Sequence, residues 1–306
     1  MRNLTKNVLI NSCICLAAHL TAGAADKPVE IKAGEAIPAG IIETSHLVVF
    51  KHDKPVVLPM VAVSFQTEVT EKAGGGMFKT ALVYALDGIP AALMQKIADE
   101  AQDVVEAELK AGGWQILPAA KAVDTDAYKE WSKSPDPSRE EVKRQFFSKG
   151  KGTNTFSAKE MERVFVAGGR PLVGNGVVLG GWTAAPAICK LGQAVGAKVM
   201  LVRVIVNFAN ITAGKRSLFT GDQDWKGRSM LEVSYAEMDV YPPDSSGATP
   251  ARLSTEAPVT LHSEFIKAVQ KSGSTRTVVA DPERYEKDTV EAIRCVARGF
   301  VAQTGK

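Results

Sequence analysis

The chain has 306 residues, of which 45% are hydrophobic and 23% are charged. Because this is ordinary globular composition, extensive disorder is excluded, and the length is enough for one large core or two small ones. The formal net charge is only +3. A chain so close to neutral has no basic field that would draw it to nucleic acid or anionic lipid, so we expect neither as a partner.

The first 24 residues have the order of parts of a secretory signal peptide. Two basic residues and no acid precede an apolar stretch at residues 8–18, and the small residues Ala22, Gly23 and Ala24 follow it. The apolar stretch is about half as long as the ~20 residues of a membrane-spanning helix, which favours cleavage over a retained anchor. We therefore expect a periplasmic or secreted mature chain that begins at Ala25, with cleavage one residue later as the alternative, and that has no transmembrane segment.

Two extended segments and a helix open the mature chain. Within VVLPMVAVSFQTEV at residues 56–69, the residues alternate with period two from Val61 to Val69, which predicts a strand with one buried face. After a glycine-rich connection, MFKTALVYAL predicts its hairpin partner. From Pro90 to Gly112-Gly113 the apolar residues then recur with helical spacing. The segment WQILPA, which follows, predicts a short buried strand.

Residues 122–181 differ in kind from their surroundings. They are charged and rich in Ser and Pro, and they offer only short helical pieces around Tyr128 and Val142. We interpret them as a polar insertion or surface excursion.

The second half of the chain predicts a helix at residues 184–195 and then the branched strand KVMLVRVIVNF. A polar tip joins this strand to MLEVSYAEMDVY, so strands near 199–209 and 229–241 should pair as a long antiparallel hairpin at the centre of the sheet. A Pro/Ser/Gly linker at 242–258 and the edge strand APVTLHSEF follow. The closing helix begins with Asp281 as its N-cap and Pro282 in its first turn.

Together these elements predict an α/β fold. We expect one domain, residues 25–306, in which helices pack on a mixed sheet that contains the long antiparallel hairpin.

Sequence motifs for cofactors and catalysis are incomplete. In the glycine-rich segment Gly74–Thr80 the glycine that precedes the lysine of a phosphate loop is replaced by Phe78, and the fingerprint that begins at Gly174 has Leu179 at its third glycine position. The three histidines of the mature chain have no partner at metal-ligand spacing, and no G-x-S-x-G motif occurs. We therefore expect no cofactor, no metal and no catalytic residue.

Two cysteines and five aromatic residues are the remaining candidates. Cys189 and Cys295 are either a disulfide or two buried small hydrophobic residues, and the bridge requires that their helices cover the same face of the sheet. The aromatic residues suit either a protein-contact surface or local packing. They are Trp131, Phe146, Phe147, Phe219 and Trp225.

The order of elements resembles the curli secretion channel CsgG and its relatives, which include the TolB N-terminal domain and the LpoB-type synthase activators. The likeness rests on VAVSF, IADEAQDVVEAELKAGG and WQILPA, on the strand entry VGAKVMLV with its returning hairpin, and on the closing helix EKDTVEAIRCVARGFVAQ. It covers roughly residues 56–120 and 183–303. This sequence departs from the family pattern in having Lys198 where an acid is usual and in lacking a lipid-attachment cysteine.

The resemblance implies a non-catalytic envelope protein that works through protein contacts. Our first hypothesis is therefore an exported cell-envelope accessory or assembly protein that binds itself, as a homo-oligomer, or another envelope protein. The alternative is a periplasmic binding protein for a small apolar or glycan ligand, with the aromatic residues as its platform. An enzyme with an unrecognised site is a third hypothesis.

Overall fold

The computed structural model describes residues 28–73, 80–133, 142–149, 155–172, 185–216, 223–243 and 250–304. The predicted cleavage site, the glycine-rich segment after Ala73 and the fingerprint at residues 174–179 lie outside these ranges. No helix within them is both long enough and apolar enough to cross a membrane.

The described ranges contain thirteen strands and five α-helices. The strands are β1 Val29–Ile31, β2 Ile42–Ser45, β3 Val56–Ala73, β4 Thr80–Asp87, β5 Ile116–Leu117, β6 Val142–Lys149, β7 Thr155–Val166, β8 Lys198–Arg216, β9 Gln223–Tyr241, β10 Ala251–Thr255, β11 Val259–Leu261, β12 Ile266–Ser272 and β13 Thr275–Ala280. The helices are α1 Ala91–Ala111, α2 Ala120–Val123, α3 Asp126–Ser132, α4 Ala185–Val195 and α5 Pro282–Thr304.

All the described strands belong to one mixed sheet, which confirms the α/β fold class. Its main path runs β1-β11-β9-β8-β3-β4-β13-β12, and β3 and β8 at its centre are parallel. Glu68, Val69 and Thr70 of β3 pair with β4 and also with β7, so those two strands lie on opposite edges of β3. Strands β7 and β8 also pair with some of the same residues of β3, so β8 lies on the edge of β3 that β4 occupies. Strands β8 and β4 therefore follow one another along that edge.

The predicted hairpin of β8 and β9 is confirmed and is longer than expected. Its antiparallel register extends from Val199 opposite Tyr241 to Arg216 opposite Gln223. Much of the segment predicted as a polar tip is therefore paired strand. Polar residues can form such a ladder because its hydrogen bonds join backbone N–H and C=O groups and not side chains.

Strand β3 is buried on both faces, whereas its alternating sequence predicted one. Every residue from Val56 to Phe65 is buried. Val61 and Val63 pack in one core cluster, and Met60 and Ala62 pack in the other. Pro59 lies at a register shift between Val57 and Met60, where its missing N–H does not interrupt the ladder.

The five helices cover the two faces of the sheet. Helices α1 and α5 contact each other and contribute to the larger cluster, which includes Ile97 and Ile293. Helices α2, α3 and α4 contact one another and contribute Ala122, Tyr128 and Leu191 to the smaller cluster on the other face. The sheet therefore separates two cores.

The start of α5 confirms the predicted cap. The Asp281 carboxylate accepts hydrogen bonds from the backbone N–H groups of Glu283 and Arg284, each at 3.1 Å. The residues Tyr285, Thr289, Ile293, Val296 and Phe300 recur with helical spacing and are buried. The stripe predicted for α1 also faces the core.

Three sequence predictions are wrong. The segment around Val142 is strand β6 rather than a helical piece, and β7 joins the region 122–181 to β3 over eight residue pairs. The predicted linker contains β10, which pairs with β9 and β2. Strand β11 is not an edge strand, because β1 pairs with its outer side.

Candidate functional site

The two cysteines do not form the possible disulfide. Cys189 packs in the smaller core cluster on α4, and Cys295 packs in the larger cluster on α5. Both cysteines are buried, and neither is part of a disulfide. Since α4 and α5 lie on opposite faces of the sheet, the geometric requirement for a bridge is not met.

Of the five candidate aromatic residues, Trp131 is placed by the structure in the core. Its side chain is 8% exposed and its ring contacts Tyr128 edge to face, with the ring centroids 5.7 Å apart. Local packing is thus its role. The structure describes the backbone of Phe146, Phe147 and Trp225 but not their side chains, and Phe219 lies outside the described residues.

Four carboxylic side chains are buried on the face of the sheet that carries α2 to α4. Each is at most 4% exposed, and we call them the acidic face: Glu162, Glu232, Glu237 and Asp239. This group was not predicted from the sequence, because acidic residues were considered there only as parts of catalytic motifs. The alternation of charged residues along LEVSYAEMDVY was the available signal.

Glu237 and Asp239 form a compact charged network. The Arg252 guanidinium donates two hydrogen bonds to Asp239, both at 2.7 Å, and the Tyr235 hydroxyl donates to Glu237 Oε2 at 2.8 Å. Arg203 lies directly opposite Glu237 on β8. Burial raises the pKa of Glu237, and the Asp239 charge raises it further, while Arg252, Tyr235 and Arg203 act against the rise.

Glu232 has fewer charged neighbours. Burial raises its pKa, against a hydrogen bond from Asn207 and the charge of Arg228. Its Oε2 atom is inaccessible to solvent and has no hydrogen-bond partner among the described residues. Since an oxygen in this position is better accommodated by a neutral carboxyl than by a carboxylate, Glu232 takes up a proton more readily in the folded chain than in the unfolded one.

The side chains of Leu47 and Val48 are exposed together on a short turn before β3. They are 46% and 66% exposed, and with Val269 they are the exposed large hydrophobic residues among those described. His46 starts this turn in the left-handed region, with φ 52° and ψ 43°. Phe50 ends it, and because Phe50 is buried it anchors the turn to the core. We call residues 46–50 the Leu47–Val48 turn.

The ammonium group of Lys198 forms hydrogen bonds at the end of the Leu47–Val48 turn. Its Nζ donates to the carbonyl oxygens of Val49, at 2.8 Å, and Lys51, at 2.7 Å, and also to the Asp53 carboxylate. The hydrogen bond from Lys198 to the Asp53 carboxylate holds the pKa of Asp53 below its ordinary value. The Lys198 ammonium group also lies over the indole ring of Trp114, with Nζ 6.0 Å from the ring centroid, which is a cation–π contact.

The turn was not predicted from the sequence, although Lys198 was noted as a departure from the family pattern. An apolar run such as LVVF is ordinarily buried, and its exposure depends on which other segments cover it. The described residues contain no group of three or more His, Cys, Asp or Glu side chains that could hold a metal ion.

No family of proteins, no curated protein and no solved structure matches this chain.

Proposed function

We propose that the chain is an exported, non-catalytic accessory or assembly protein of the cell envelope that acts through protein contacts. The observation that carries the proposal is the Leu47–Val48 turn. It presents two adjacent aliphatic side chains to solvent, and the Lys198 ammonium group fixes the backbone at its end through the carbonyl oxygens of Val49 and the following Lys51.

A preorganised apolar projection favours protein binding for two reasons. Because Leu47 is 46% and Val48 is 66% exposed, burying each of them in a partner contributes roughly half of the ~1.5–3 kcal/mol that full burial of such a side chain contributes. A turn that is already fixed loses little conformational entropy on association, so more of that gain remains as affinity.

The partner is a second copy of the chain or another envelope protein. The signal-peptide pattern of the first 24 residues supports an envelope location. The resemblance to CsgG, the TolB N-terminal domain and the LpoB-type activators supports an accessory or assembly role, since the resemblance is to envelope proteins that work through protein contacts.

Site-specific photo-crosslinking of the exported protein tests the contact. A photoreactive amino acid at position 48 should give one reproducible protein adduct, and Leu47→Ser should remove it. The matched control is the same photoreactive residue at position 194, an exposed position on α4. Equal adducts at both positions, or none at position 48 from a chain that sediments as a monomer, would contradict the proposal.

The location has its own test. Protein recovered from the cell envelope fraction should begin at Ala25 when its N-terminal sequence is determined. A chain that retains Met1 and fractionates with the cytoplasm would refute export.

A further inference from the structure

Strand β12 ends the sheet with an open hydrogen-bonding edge. Among the described strands it pairs only with β13, and its residues from Lys267 to Ser272 are exposed. An edge of this kind offers unpaired backbone N–H and C=O groups to an added strand.

A row of apolar side chains crosses the sheet and stops at this edge. Val278 of β13 lies between Leu86 of β4 and Val269 of β12 in the register of the three strands. Val278 is fully buried and Leu86 packs against the larger core, whereas Val269 is 43% exposed. One more strand with an apolar residue beside Val269 would continue the row and cover it.

The adjacent position on the same face carries two like charges. Lys271 lies directly opposite Arg276, an arrangement that is unfavourable without a counter-charge. Arg276 donates only to the carbonyl oxygens of Gly273 and Thr275, at 2.9 and 3.1 Å, and neither cation has an acidic partner among the described residues. Lys267 differs, because its ammonium group pairs with Asp281 at 3.3 Å.

We propose that β12 binds an extended acidic segment of a partner protein, which adds to the sheet as one further strand. An apolar side chain of that segment lies beside Val269, and carboxylates two residues away on the same face lie beside Lys271 and Arg276. Backbone hydrogen bonds along the open edge supply affinity, and this alternation supplies specificity. The inference rests on the proposed action through protein contacts, and it concerns a strand that is separate from the Leu47–Val48 turn.

The probe is the fluorescently labelled peptide Thr-Val-Thr-Glu-Thr-Glu-Thr, whose Val and two Glu side chains share one face of an extended strand, with binding measured by anisotropy at low salt. Lys271→Glu should weaken binding by about tenfold or more, because it replaces an attraction with a repulsion. The same change places an acid opposite Arg276, so the hairpin stays folded. The matched control, Lys121→Glu, makes the same change of net charge at an exposed lysine on α2 and should leave binding unchanged.

Two further peptides separate strand addition from simple charge attraction. A peptide of the same sequence with N-methylated backbone amides should bind at least about tenfold more weakly, because it cannot donate to the edge. A peptide with Lys in place of Glu should not bind. Binding that survives N-methylation, or that is unaffected by Lys271→Glu, would overturn the proposal, as would a wild-type chain that ignores the acidic peptide.

The outcome is separable from that of the proposed function. Failure of the general proposal shows as a missing adduct at position 48, whereas failure of this inference shows as absent or backbone-independent peptide binding. If Lys271→Glu leaves peptide binding intact and instead promotes self-association of the chain, Lys271 serves only to block strand pairing.

Discussion

Lys198 stands at the first position of the central strand β8, and it is 4% exposed. Its ammonium group has three N–H donors, and Val49, Lys51 and Asp53 supply three acceptors. The charge is therefore fully hydrogen bonded although it is buried. This explains why a lysine is tolerated at a position where an apolar strand begins.

We expect Lys198→Met to lower the free energy of unfolding by about 2–3 kcal/mol, because two carbonyl oxygens lose their donor in a partly buried place. Chemical denaturation measures the change. Lys51→Met is the matched control, since its side chain is exposed, and it should stay within about 0.5 kcal/mol of the wild type. The Lys198 variant should also lose the adduct at position 48. Equal stability of the two variants would show that the ammonium group does not support the turn.

The acidic face gives a pH prediction. Burial raises the pKa of Glu232 above its value in the unfolded chain, so its contribution to stability is present below the unfolded pKa and is lost as the pH rises through the folded pKa. Glu232→Gln removes this loss. The variant should melt higher than the wild type at pH 8, and the difference should shrink towards pH 5.

Thermal melts at several pH values test this, with the exposed Glu43→Gln as the control that should show no such trend. A Glu232→Gln variant that is less stable than the wild type at pH 8 would mean that the carboxylate is ionised and well solvated in the folded chain.

At the scale of elements, the N-terminal segment between β1 and β2 crosses α5 in close contact. The backbone N–H of Ile37 donates to the Cys295 carbonyl at 3.2 Å, and a Cβ added to Gly299 would lie 2.1 Å from Ile37 Cγ1. The Arg298 guanidinium also donates to the Gly34 carbonyl at 2.7 Å. Only a residue without a side chain allows this crossing.

Gly299→Ala should therefore destabilise the fold by about 1–3 kcal/mol through overpacking, less the gain in helix propensity that Ala brings. Gly40→Ala is the matched control, because a Cβ there meets nothing within 4 Å. Pairing Gly299→Ala with Ile37→Ala should cost less than the sum of the two single changes. Additive losses would show that the two residues do not press on each other.

Elements whose apolar pattern faces one surface were predictable, as α1 and α5 show, because helical periodicity and caps are local properties of the sequence. Elements that are strands only because a neighbouring strand pairs with them were not predictable. Strand β10 has five residues inside a Pro/Ser/Gly linker, and it is a strand because β9 offers its edge there. The segment at Val142 is likewise strand because β7 pairs with it along its length.

The exposed and buried features of the candidate sites could not be predicted for a related reason. Exposure of Leu47 and Val48, burial of Trp131 and the open edge of β12 all depend on which distant segments cover them. Nothing in the local sequence separates Val269, at a free edge, from Val278, in the core. Such distinctions are set by tertiary contacts.

At the scale of the whole molecule, two cores separated by the sheet give a prediction about redox conditions. The thiols of Cys189 and Cys295 lie in different cores, so reductant should not change the melting temperature of the native protein. The double variant Cys189→Ser with Cys295→Ser should have the same melting temperature in oxidising and in reducing buffer, because it has no thiol left to form a bridge. A melting temperature that falls only with reductant would show a bridge.

The pairing of β3 with β8 has a kinetic consequence. Val56 pairs with Lys198, so the two strands at the centre of the sheet come from distant parts of the chain. The core therefore remains open until β8 is available to pair with β3. Contacts so far apart in sequence slow folding. For a chain that we propose to be exported, slow closure of the sheet is an advantage, since a threaded polypeptide must remain unfolded in transit. A fragment that ends before Lys198 should accordingly stay sensitive to protease, while the full chain becomes resistant.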